Sequence, residues 1–61
     1  MLKVNDVIVV VRERKYYLVI DRPYEGNENY LLKEITLDEA MSHKDYRLNF
    51  NGLPEHYVIQ K

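Results

Sequence analysis

Residues Val7–Val11 are five consecutive aliphatic side chains, and after the polar segment Arg12-Glu13-Arg14-Lys15 a second apolar run follows, Tyr16-Tyr17-Leu18-Val19-Ile20. β-Branched and aromatic side chains crowd a helix but pack well on a pleated surface, and no Gly or Pro interrupts either run. The two runs therefore read as long strands joined by a charged hairpin. As strands from about Lys3 to Arg12 and from Lys15 to Asp21 they hold more than a quarter of the chain and set its class as mainly β.

Sixty-one residues make one domain, 1–61. A chain of this size buries only roughly 60% of its unfolded surface, and its core rarely nets more than ~3–5 kcal/mol. The usual staples are missing. There is no cysteine, which excludes disulfides and thiolate metal sites, and His43 and His56 alone cannot close a structural zinc site. Stability must come from the core, from a partner or from self-association. The lack of cysteine fits a cytosolic setting. The opening Met1-Leu2-Lys3-Val4-Asn5-Asp6 does not read as a signal peptide, and no segment approaches the ~20 apolar residues that span a bilayer. The expectation is a soluble, cytoplasmic protein with no membrane partner.

The net charge of −1 is unevenly spread. Residues 1–22 carry +2, residues 23–45 carry −4 and the remainder +1. A dedicated nucleic-acid binder usually shows a basic excess, because phosphate neutralisation supplies most of its affinity. No such excess is present.

Strand one is expected from about Lys3 to Arg12, apolar on both faces, and strand two from Lys15 to Asp21 with Tyr16, Leu18 and Ile20 as the stronger inward face. Arg22–Glu28 reads as a loop broken by Pro23 and Gly26. Strand three, Asn29 to Ile35, puts Leu31, Lys33 and Ile35 on one face and Tyr30, Leu32 and Glu34 on the other. Thr36-Leu37-Asp38-Glu39 is a capping box: the Thr36 hydroxyl accepts from the Glu39 backbone while the Glu39 carboxylate accepts from that of Thr36. A two-turn helix should follow, docking through Leu37, Ala40 and Met41, with His43 and Lys44 where a helix C-terminus favours cations. Asp45–Phe50 alternates, with Tyr46, Leu48 and Phe50 inward. Asn51-Gly52 is a strong type I′ hairpin signal leading into strand five, Leu53 to Gln60, with Tyr57 and Ile59 on one face. Pro54 argues that this strand begins on an edge.

The order β-β-β-α-β-β predicts a five-stranded antiparallel small barrel or strongly bent sheet. It is the element order of an OB-like barrel, with an SH3-like barrel as the close competitor. Lys3-Val4-Asn5-Asp6-Val7-Ile8-Val9-Val10 resembles the lysine-x-glycine-aspartate-x-valine opening of SH3-like barrels, with Asn5 where glycine is usual; both residues tolerate left-handed backbone. The resemblance implies a fold type alone, since such barrels host many unrelated activities.

Catalysis finds little support. Ser42 and His43 are adjacent and diverge on a helix, there is no Gly-rich phosphate loop, and only His43, Asp45 and His56 offer a cluster for acid–base work or a metal. No enzyme, cofactor or metal is expected. The apolar surplus points to binding instead. Val7, Val9, Tyr17 and Val19 are the candidate surface for another protein or a second copy of this chain, by patch burial or by strand addition at an open edge. The alternative is single-stranded nucleic acid, with Tyr17 and Tyr24 stacking bases and Arg12, Arg14 and Lys15 meeting phosphates. Against that, the tyrosines also suit a core and its rim, and the hairpin charges also serve as gatekeepers for a valine-rich strand.

Overall fold

The computed structural model describes residues 2–43 and 47–60. In chain order the elements are β1 (Val7–Val10), β2 (Lys15–Asp21), β3 (Tyr30–Ile35), α1 (Leu37–Ser42), β4 (Arg47–Phe50) and β5 (Tyr57–Gln60). All five strands join one sheet in the spatial order β4-β1-β2-β3-β5. β1, β2 and β3 form an antiparallel meander, whereas β4 runs parallel to β1 and β5 runs parallel to β3.

The sheet is thus mixed and open rather than an antiparallel barrel. Asn51-Gly52 does not close a hairpin, because β4 and β5 lie on opposite edges and Gly52 is not among the residues with positive φ. The hydrophobic faces explain the outcome. Leu48 and Phe50 fall level with Ile8 and Val10, and Ile59 falls level with Leu32, so each short strand extends an apolar face already present. Pairing β4 with β5 would have left at least one edge of the meander without that extension.

The register divides the core into two layers. On one face Ile8, Val10, Tyr17, Val19 and Leu32 pack together with Leu2, and Tyr30, Leu53 and Ile59 lean against them. On the other, Val7, Ile35 and Ala40 form a second cluster against Val9, Tyr16 and Leu18. Both faces of β1 are covered, as its unbroken aliphatic run demands. On β2 the inward assignment reverses: Tyr17 and Val19 are buried, while Tyr16, Leu18 and Ile20 are half-buried. The short helix covers its side of β2 less completely than the far side is covered by Leu2 and Leu53.

β1 is shorter than its aliphatic run, since Val11 lies exposed in the turn Val11–Arg14. There Arg14 takes φ 57° and the turn amides of Glu13 and Arg14 donate back to Val10 and Val11. A second tight turn lies inside the β2–β3 loop, where Tyr24 and Asn27 exchange both backbone hydrogen bonds at 2.8 and 2.9 Å around Gly26 with φ 93°.

The helix has its capping box. The Glu39 amide donates to the Thr36 hydroxyl at 3.2 Å and the Thr36 amide donates to the Glu39 carboxylate at 3.1 Å. Only Ala40 is buried; Leu37 and Met41, expected to dock, face solvent. One turn and a half of helix presents too narrow a face to bury all three. Lys44 and Tyr46 lie outside the described residues.

Candidate functional site

Because the sheet does not close, its first apolar layer is left open beside β4. A groove of about 540 Å³ lies there, lined by Leu2, Lys3, Asp6, Tyr30, Leu48, Phe50 and Pro54. Two segments build it. The first is the N-terminal turn Lys3–Asp6, in which the Asp6 amide donates to the Lys3 carbonyl at 3.0 Å and the Lys3 amide donates to the Asp6 carboxylate at 2.8 Å. Asn5 makes the turn possible with φ 76°, and its amide donates to the Val19 carbonyl, docking the turn on β2. Asp6 is buried, and this bond to the Lys3 amide satisfies one of its carboxylate oxygens.

The second segment is the connection from Phe50 to Tyr57. It leaves one edge of the sheet and reaches the other, and Leu53 packs on the first core layer midway. The connection therefore crosses that face as a strap, and Pro54 forms one wall of the groove. Leu48 and Phe50 stand on the same face as Ile8 and Val10 but at the rim, so they keep 37% and 38% of their surface exposed. At the opposite edge Tyr57 and Val58 keep 41% and 49%. The sequence pattern expects Leu48 and Phe50 inward; the register sets them level with Ile8 and Val10, but both stay exposed because the face ends there.

The four residues expected to form one protein-binding surface are split. Val7 and Val9 lie on the helix side of the sheet, Tyr17 and Val19 on the strap side; Val7, Tyr17 and Val19 are buried and Val9 half-buried. Alternation along adjacent antiparallel strands explains the split, since Val7 pairs with Leu18 and Ile8 with Tyr17. Arg12, Arg14 and Lys15 sit exposed together at the β1–β2 turn, and Tyr24 is exposed in the β2–β3 loop. Tyr17, at 3% exposure, does not present a ring face beside them. Its phenol is held above the ordinary tyrosine range, first by burial and then by the negative charges of Glu34 and Glu13.

Ser42 spends its hydroxyl on the Glu39 carbonyl at 2.6 Å. His43 caps the helix and His56 precedes β5, while Asp45 lies outside the described residues. Among the described residues no group of three His, Cys, Asp or Glu side chains is gathered as for a metal ion, and no helix is long and apolar enough to cross a membrane. No family model, curated protein or solved structure matches this chain.

Proposed function

We propose that this domain is a non-enzymatic interaction module that binds another protein at the groove beside β4. One observation carries the reading: Leu48 and Phe50 stay more than a third exposed on the rim of an apolar groove that Leu2, Tyr30 and Pro54 complete. Apolar side chains left at an open rim gain free energy when a partner covers them. The occupant that fits is an extended segment with apolar side chains. The β4 edge offers it backbone hydrogen bonds and the groove offers pockets for alternate residues. Lys3 and Asp6 both line the groove, so it offers the segment one charge of each sign.

The test compares wild-type protein with Leu48→Asp and Phe50→Asp in affinity capture, followed by titration of each captured protein. Both positions are solvent-accessible, so the variants should fold, which far-UV circular dichroism checks. A partner bound by wild type and weakened about tenfold or more by either substitution supports the reading. Partners bound equally well by all three proteins would sink it. So would oligonucleotide binding at low salt that Arg12→Ala/Arg14→Ala abolishes, since that would move the function to the β1–β2 turn.

A further inference from the structure

The other edge of the sheet has a different character. Edge strands of soluble proteins are usually protected by a charge, a proline or a bulge, because their free backbone groups pair with any strand that approaches. β4 carries such a guard in Arg47. β5, Tyr57-Val58-Ile59-Gln60, has no charge, no proline and no register shift in its pairing with β3.

Its hydrogen-bond parity can be read from one contact. The Tyr30 amide donates to the His56 carbonyl at 2.9 Å, and Tyr30 is level with Tyr57. In a parallel ladder the bonding residues alternate, so Val58 and Gln60 turn their backbone toward β3. Tyr57 and Ile59 turn theirs toward the open edge. Two outward residues separated by one inward residue make a self-complementary unit. When such a strand meets an antiparallel copy of itself, Tyr57 falls opposite Ile59 of the copy and Ile59 opposite its Tyr57. Each of these pairs can exchange both backbone hydrogen bonds, and Val58 meets Val58 at the centre.

We propose that β5 pairs antiparallel with β5 of a second copy of this chain, about a two-fold axis through Val58, joining the two sheets into one. Side chains suit this arrangement on both faces. On the strap side each Tyr57 ring lies across from an Ile59, an aromatic–β-branched pair. On the helix side the two Val58 side chains, half exposed in the single chain, cover each other. Charge favours the antiparallel sense. Lys33 is level with Gln60 at one end of β5, and Lys61 follows in sequence, while Glu55 precedes the strand at the other end. An antiparallel copy brings cationic end to anionic end; a parallel one would bring like to like. A four-residue edge buries less surface than a standard stable interface, so the dimer should form in a concentration-dependent way. The pairing draws on the same open sheet as the binding reading but uses the opposite edge, so either can fail alone.

A charge swap at the two-fold tests it, read by sedimentation velocity across a concentration series. Wild type should pass from monomer to dimer with rising concentration. Val58→Lys and Val58→Asp, each placing like charges face to face, should weaken self-association by about tenfold or more. Mixing the two variants should restore dimers, because the central pair then becomes Lys against Asp. Both variants should keep the wild-type circular dichroism spectrum, since Val58 is half exposed. Phe50→Lys, on the far edge, should leave the dimer intact. Wild type that stays monomeric up to ~1 mM, the weak limit of specific association, overturns the proposal. Dimers that survive Val58→Lys and Val58→Asp, that disappear in Phe50→Lys, or that fail to return on mixing overturn it as well.

Discussion

Gly26 and Gly52 look alike in sequence, each following a polar residue in a presumed turn, yet their backbones differ. Gly26 has φ 93°, a conformation that side-chain-bearing residues rarely adopt, inside the turn closed by Tyr24 and Asn27. Gly52 has no positive φ, and a Cβ there meets open space. Gly26→Val should therefore destabilise the fold by about 1–3 kcal/mol in urea melts, through backbone strain. Gly52→Val should stay within about 0.5 kcal/mol of wild type, as for an ordinary surface change. Equal costs at the two sites would show that the turn geometry is wrong. Tyr17 supplies a second residue-scale test. Its folded pKa is raised by burial and by Glu34 and Glu13, so the protonated phenol is the form the fold favours. That stabilisation is complete below the unfolded tyrosine pKa, about 10, and is lost as pH rises through the higher folded value. Tyr17→Phe should flatten the fall in stability above pH ~10. An unchanged alkaline slope would remove burial of the phenol as its cause.

Single elements were legible where their signals are local. The helix begins where its four-residue capping box begins, because both hydrogen bonds of that box close within residues 36–39. Side-chain alternation placed the two faces of β3 correctly for the same reason. Asn5, expected inside a strand starting near Lys3, instead takes φ 76° in the turn that precedes β1, a conformation Asn tolerates better than most residues. The stronger face of β2 was not legible, since Tyr16-Leu18-Ile20 and Tyr17-Val19 are both apolar. What decides between them is how much of each face the rest of the chain covers. The capping box also makes the helix sensitive to acid. Glu39 is held below its ordinary pKa of 4.5, chiefly by the Thr36 backbone and then by the Thr36 hydroxyl. A lowered carboxylate pKa contributes stability that is present above the unfolded value and lost as pH falls through the folded one. Glu39→Gln keeps a side chain able to accept the same bond but cannot titrate, so its stability should depend less on pH below about 4.5. Thr36→Ala should cost about 0.5–2 kcal/mol at pH 7. Acid profiles of wild type and Glu39→Gln that superimpose would mean the box does not form in solution.

At the scale of the molecule, the candidate site exists because β4 and β5 separate, and no local pattern encodes that separation. Asn51-Gly52 favours a hairpin by itself, but pairing with β1 and β3 adds apolar neighbours on both sides of a ready-made meander, and tertiary gain overrides turn preference. The connection that results is short, with bends at Asn51–Gly52 and Glu55–His56. Phe50 stands level with Val10 at one end of the sheet, and Tyr57 stands level with Tyr30, about six residues or ~20 Å away along the strands. Across the strands lie four spacings, ~19 Å in a flat sheet, so a straight path would be ~28 Å. The chain from Phe50 to Tyr57 reaches only about 23–25 Å when fully extended. A flat sheet is therefore excluded; the two edges must coil toward each other over the Leu53 side, in the direction a twisted sheet allows. The strap holds that coil, and the groove is the space left under it. Deleting Asn51 and Gly52 should shorten the reach to roughly 17 Å and force β4 or β5 off the sheet. Hydrogen exchange would report this as lost protection in whichever edge strand detaches. Inserting two glycines after Gly52 should cost no more than about 0.6 kcal/mol, the entropy of a modestly longer loop, and leave both edges protected. If the deletion leaves exchange and melting unchanged, the connection carries slack and neither the coil of the sheet nor the groove beneath it depends on that length.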